Sequence, residues 1–185
     1  GIDVTGAITG TGDLTIDTNT LHVDSSNNRV GIGITTPVRN LHIKDTSPRI
    51  MLSNDTTGHT SGNGTEILLD SDGHFEILQR ENLNLEFFTN NLQRMTILGN
   101  GNVGIGTTSP SYRLTVEAAS GTDVTSEFKS DDANAWIQIK DNTTTDTGVM
   151  VGANGDNLLL RAGSNERMRI DSSGNVGIGT SSPSS

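Results

Sequence analysis

Apolar and polar residues alternate along this chain in short runs. Leu14-Thr15-Ile16, Leu21-His22-Val23, Leu41-His42-Ile43, Phe75-Glu76-Ile77, Leu114-Thr115-Val116 and, after Trp136, Ile137-Gln138-Ile139 all carry a period of two. That period places successive side chains on opposite faces of a strand. Clusters of Asn, Asp, Gly and Ser separate the runs every ~8–12 residues, the punctuation of a chain of short strands. Asp72-Gly73, Asn100-Gly101 and Asn154-Gly155 predict tight hairpin turns. Residues 82–95 are the one stretch with a competing helical reading, but Glu81 to Phe87 alternates at period two and is assigned to strand. The only place left for a short helix is 118–126. The predicted fold class is all-β.

One phrase recurs. It reads Val30-Gly31-Ile32-Gly33 leading to Pro37, Val103-Gly104-Ile105-Gly106 leading to Pro110, and Val176-Gly177-Ile178-Gly179 leading to Pro183. The first glycines stand 73 residues apart each time (31, 104, 177). Constant spacing is the signature of an array. The flanks repeat too: a strand and polar turn precede each copy, and a second strand (Leu41-His42-Ile43, Leu114-Thr115-Val116) follows the first two. Between phrases, the stretch from Arg49 matches that from Ala135 with compensating gaps, residues 117–128 being an insertion in the second copy. The implied organisation is an N-terminal β segment (1–30), two repeats (31–103 and 104–176) and the start of a third (177–185).

Within the phrase, Val and Ile share one face and the glycines the other. Glycine weakens an isolated strand, so its place here implies a close backbone approach or an unusual dihedral. The expected source of crowding is a crossing of several chains, with proline ending the ladder. Each phrase is thus expected to be a Gly-rich crossover between wider β modules.

Composition sharpens this. Apolar residues make up 31% of the 185, against about 45–50% in ordinary domains, and there are one Trp, one Tyr and four Phe. A single chain so composed is short of material for a core. Its strand periodicity argues against disorder, so it is expected to borrow surface from other chains. The net charge of −10, with scattered basic residues, excludes a phosphate-binding face and so a nucleic-acid partner. There is no cysteine, so no disulfide framework is expected. No apolar run approaches the ~18 residues of a membrane span, and no membrane insertion is expected. The start shows no signal peptide, and the chain reads as a segment of something longer.

Candidate chemistry is thin. Gly31-Ile32-Gly33 and its copies lack the third glycine and following helix of a phosphate loop. Asp70-Ser71-Asp72-Gly73 and Asp171-Ser172-Ser173-Gly174 share residue types with calcium loops, but lack the late bidentate Glu, and read as β-turns. His22, His42, His59 and His74 are candidates for a metal on an oligomer axis, though they have no partner spacing; His22 and His42 are expected to face outward. No nucleophile elbow or paired-carboxylate site is present, so no catalytic residue, cofactor or metal is assigned. Trp136, Phe87 and Phe88 have two readings, a sugar-stacking platform or filling for an oligomer core, and the core reading is preferred. Asn54, Asn63 and Asn142 head glycosylation sequons, frequent by chance in an Asn/Thr-rich chain.

The phrase GNVGIGTTSP, the lead-in RMRIDSSGNVGIG and the opening VTGAITGTGDLTIDTNTLHVDSSNNRVGIG resemble repeat segments of bacteriophage tail fibre and tailspike proteins. Similar phrases also occur in fibrous bacterial surface proteins. The resemblance implies an elongated homotrimeric β-fibre, located in the virion or on a bacterial surface. Its partners would be two further copies of the chain, with a host cell-surface glycan reached through adjoining regions. Three functions follow in order: a non-enzymatic structural shaft that positions a receptor-binding tip; a glycan-binding module; and, last, part of a glycan-depolymerising tailspike.

Overall fold

The computed structural model describes residues 10, 12, 14–17, 20–121, 124–144 and 148–184. The chain divides into two compact units, Gly1–Glu117 and Ala118–Ser185. Every regular element among the described residues is a strand of three to six residues. The alternative of a short helix at 118–126 is not realised: 118–121 and 124–126 are irregular, and 122 and 123 lie outside the described residues.

The first unit holds three sheets. β1 (Leu14–Ile16), β2 (Leu21–Asp24), β3 (Arg29–Ile32) and β4 (Leu41–Ile43) form one, in that order. β5 (Arg49–Leu52), β6 (Thr65–Leu69) and β7 (Phe75–Gln79) form a second. β8 (Leu85–Thr89), β9 (Leu92–Ile97), β10 (Val103–Ile105) and β11 (Leu114–Val116) form the third. The second unit is one five-stranded meander of β12 (Asn134–Ile139), β13 (Val149–Asn154), β14 (Asn157–Ala162), β15 (Asn165–Ile170) and β16 (Val176–Ile178).

Turn chemistry sets the registers. Asn90-Asn91 and Gly163-Ser164 close two-residue hairpins, all four with φ between 52° and 63°. Both central residues of a type I′ turn need positive φ, which Asn and Gly tolerate. Both hairpins carry a bulge, at Phe87/Phe88 and at Leu160/Arg161. A second turn form recurs at Asp70–His74, Leu98–Asn102 and Asp171–Asn175. In each, the first amide donates to the fifth carbonyl, the fourth amide donates to the first carbonyl, and the fourth residue is a glycine near φ 86–88°.

The two 73-residue stretches share their ends and differ in the middle. β3 and β10 each pair parallel with the strand that follows, and β9 and β15 each pair antiparallel with the phrase strand. In the first stretch, β7 pairs with β6 and a separate sheet begins at β8. In the second, β14 pairs with both β13 and β15, giving a single sheet.

Candidate functional site

The phrase is a crossover within one chain. β3 runs parallel to β4 and β10 parallel to β11, each pair joined by eight residues without a helix. Parallel neighbours usually need a longer connection. Here the strands are three or four residues long, so the return path is short.

This geometry gives the glycines a reason different from the expected crossing of chains. The loop after each phrase folds back on its own strand. A Cβ on Gly31 would collide with the carbonyl oxygen of Ile34, and one on Gly104 would lie 2.5 Å from that of Thr107. On Gly177 it would lie 2.7 Å from the carbonyl oxygen of Thr180 and 3.3 Å from Pro183 Cβ. The second glycines take φ of 76°, 76° and 72° at 33, 106 and 179. The prolines seal the loops: Pro37 and Pro110 are buried and Pro183 half-buried. Arg29 Nη1 donates to Pro37 O at 2.9 Å, and Asn102 Nδ2 to Pro110 O at 3.1 Å. Sequence reasoning missed Arg29 and Asn102; their shared position just before the phrase was the available signal.

The loops cover the glycine face of the strand, and burial follows them. In register across the first sheet lie His22, Gly31 and His42; across the third lie Glu86, Thr96, Gly104 and Thr115. His22 and Thr96 are buried, at 9% and 0% exposure, so His22 is not the outward-facing residue expected. In the β5–β7 sheet Glu66 and Leu68 are buried on one face of β6, and Glu66 accepts from Arg49 Nη1 and Arg80 Nη2, both at 3.1 Å.

The opposite rows are apolar and open. They run Leu14, Val23, Val30, Leu41 in the first sheet and Ile50, Ile67, Ile77 in the second. In the third they run Leu85, Ile97, Val103, Leu114 and Phe87, Met95, Ile105, Val116. In the five-stranded sheet Ile137, Val151, Leu160, Met168 and Ile178 form one register line. Ile137, Leu160 and Ile178 are exposed, Ile178 at 80%. Among the described residues other than proline and glycine, only Leu68 and Leu159 are buried apolar residues. The single chain therefore leaves apolar rows open, while His22, Glu66 and Thr96 are among its few buried side chains.

The aromatic candidates are not brought together. Phe87 lies in an apolar row and Phe88, next along β8, points to the other face; both are exposed. Trp136 belongs to the other unit. Its register partner is Gly152, and its Cε3 stands 2.6 Å from where a Gly152 Cβ would be. The Arg161 guanidinium carbon lies 5.1 Å from the ring centroid, a cation–π distance. Trp136 thus packs across its own sheet, on the face opposite Ile137. A groove of about 510 Å³ runs beside β12, β13 and β14, lined by Phe128, Trp136, Ile137, Val151 and Leu158 among others.

The acidic turns hold themselves. Asp70 Oδ1 accepts from the amides of Asp72 and His74 at 2.9 and 2.8 Å, and Oδ2 lies 2.9 Å from His74 Nδ1. Asp171 Oδ1 accepts from the amides of Ser173 and Asn175, both at 2.9 Å. These contacts keep both carboxyls below the ordinary range, His74 leading for Asp70 and the Asn175 amide for Asp171. Asp70, Asp72 and His74 offer three ligand atoms within 4.8 Å of one another, all at an exposed turn or its flank. Asn54 and Asn63 spend their side-chain oxygens on local turns.

No protein-family model matches this chain, and no curated protein does either.

Proposed function

We propose that this chain is a shaft segment of a fibrous oligomer, a trimeric tail fibre that holds a receptor-binding tip away from its base. The observation that carries the reading is the inverted burial: every sheet offers an apolar row to solvent while Glu66 and Thr96 are the most buried side chains. A chain whose core is supplied by other copies has that distribution. Threefold symmetry and the viral setting come from the resemblance of the repeated phrase. The repeat itself supports a spacer, because modules that contact only neighbours set length without chemistry. The glycan-binding alternative draws on the groove that Trp136 lines with Phe128, although the Trp136 ring also packs over Gly152 and beside Arg161.

Light scattering after size exclusion tests the reading. The expected mass is three times that of the 19.5 kDa chain. A folded monomer in dilute buffer overturns it. Specific retention of a host polysaccharide by the purified segment would favour the glycan-binding module instead.

A further inference from the structure

Resting on that oligomer reading, we infer a division of labour inside the repeated phrase. Val and Ile of Val-Gly-Ile-Gly form the surface on which further copies of this chain seat, and the glycines serve only the chain's own loop, outside that surface.

Alternation separates the two roles. Gly31, Gly104 and Gly177 are buried by the loops that follow them, through Ile34, Thr107 and Thr180. Ile32, Ile105 and Ile178 on the other face are 41%, 44% and 80% exposed. The apolar rows around them carry no charge: Leu85, Phe87, Met95, Ile97, Val103, Leu114 and Val116 surround Ile105 on its sheet, while Glu86 lies in the glycine row. A chain of net charge −10 has thus kept its charges off these rows.

The size of the surface selects the occupant. Large apolar side chains stand exposed in all four sheets, among them Leu41, Ile50, Phe87 and Ile137. A standard interface takes about 800 Å² per partner, and permanent assemblies several times that. One small partner would not cover rows on four sheets; copies that repeat the same rows would. A lipid core is a poor fit, because strands of three to six residues fall short of the ~9–11 that span a bilayer.

The absence of cysteine gives a clean test. Ile105→Cys, Ile178→Cys and the exposed control Glu86→Cys are made singly, with folding checked by circular dichroism and mass by light scattering. Maleimide labelling is timed in native buffer and in denaturant. Thiols at 105 and 178 are expected to react at least ten-fold more slowly than that at 86 in native buffer, and equally in denaturant. The two positions lie in different units, so one variant that fails to fold leaves the other informative. Oligomers in which 105 or 178 reacts as fast as 86 would overturn the inference and leave the oligomer standing. A monomeric parent protein would instead overturn the oligomer reading itself.

Discussion

A Cβ on Gly106 would collide with the carbonyl oxygen of Glu117. The Glu117 amide donates to Ile105 O at 2.9 Å, so the following segment is tied against the phrase just where Gly106 turns at φ 76°. Gly33 and Lys44 repeat the relationship, with Lys44 N donating to Ile32 O at 2.8 Å. Gly179 has the same dihedral, φ 72°, but nothing within 4 Å of a Cβ.

These glycines should respond differently to asparagine, which tolerates positive φ. Gly106→Asn meets the Glu117 carbonyl and should cost about 1–3 kcal/mol, as overpacking does. Gly179→Asn should change the melting temperature little. Equal melting temperatures for both variants would show that the Glu117 contact is not limiting.

Glu66 is the most deeply placed charge among the described residues, between Arg49 and Arg80. The two arginines are partly exposed, at 44% and 31%, and rehydrate when their partner is lost. Glu66→Ala should therefore cost about 2 kcal/mol, less than breaking a fully buried pair. Glu66→Gln keeps an acceptor and should cost less. Urea unfolding of both variants measures this; Ala and Gln equal to the parent would mean the arginines hold nothing.

The turn carboxylates give a pH signature. Asp141 is lowered to about 2, first by the Thr144 hydroxyl and then by the hydroxyl and amide of Thr143. Its ordinary value is 3.8. A carboxyl with a depressed folded pKa contributes stability fully above its unfolded value and loses it as pH falls through the folded one. The Asp141 contribution should hold above about pH 4 and fade between there and pH 2. Asp70, Asp171 and Glu166 move the same way, Glu166 chiefly through its hydrogen bond from Arg169. Carbon-detected NMR titration should place Asp141 near pH 2 in the folded protein. A midpoint near 3.8 would mean the threonine bonds are absent in solution.

Register equivalence allows a module to be removed. His22 pairs with Gly31 as Thr96 does with Gly104, and Val30 pairs with Leu41 as Val103 does with Leu114. Deleting residues 31–103 joins Val30 to Gly104 and restores the phrase between β2 and β11. The shortened chain should keep its strand signal in circular dichroism and the same number of subunits by light scattering. An unfolded product would show that the two stretches are not interchangeable.

Trp136 and Arg161 form the one cation–π pair found among the described residues, worth about 0.5–1 kcal/mol at exposed sites. Arg161→Ala should lower the melting temperature slightly and shift the emission of this sole tryptophan. Unchanged emission would place the guanidinium away from the ring in solution.

The strands, the hairpins at Asp72-Gly73 and Asn100-Gly101, and the apolar alternation were all legible in the sequence. Each depends on a local rule: period two for strands, and positive φ at glycine for turns. The scarcity of aromatics and the exposed alternation likewise marked a chain short of its own core. The sequence could not say which face of each strand the chain covers by itself. That depended on loops returning over the Gly31 and Gly104 rows, with Pro37 and Pro110 packed down and Arg29 and Asn102 holding their carbonyls. The same tertiary step buried His22, which alternation had placed facing outward, and turned the glycines from an expected crossing of chains into a bracket within one chain. It also decided that β14 joins β13 to β15 in the second stretch, where the first has β7 and β8 in separate sheets. Alternation assigns residues to two faces but is symmetric between them. Only a segment arriving from elsewhere in the chain, close enough to exclude a Cβ, breaks that symmetry.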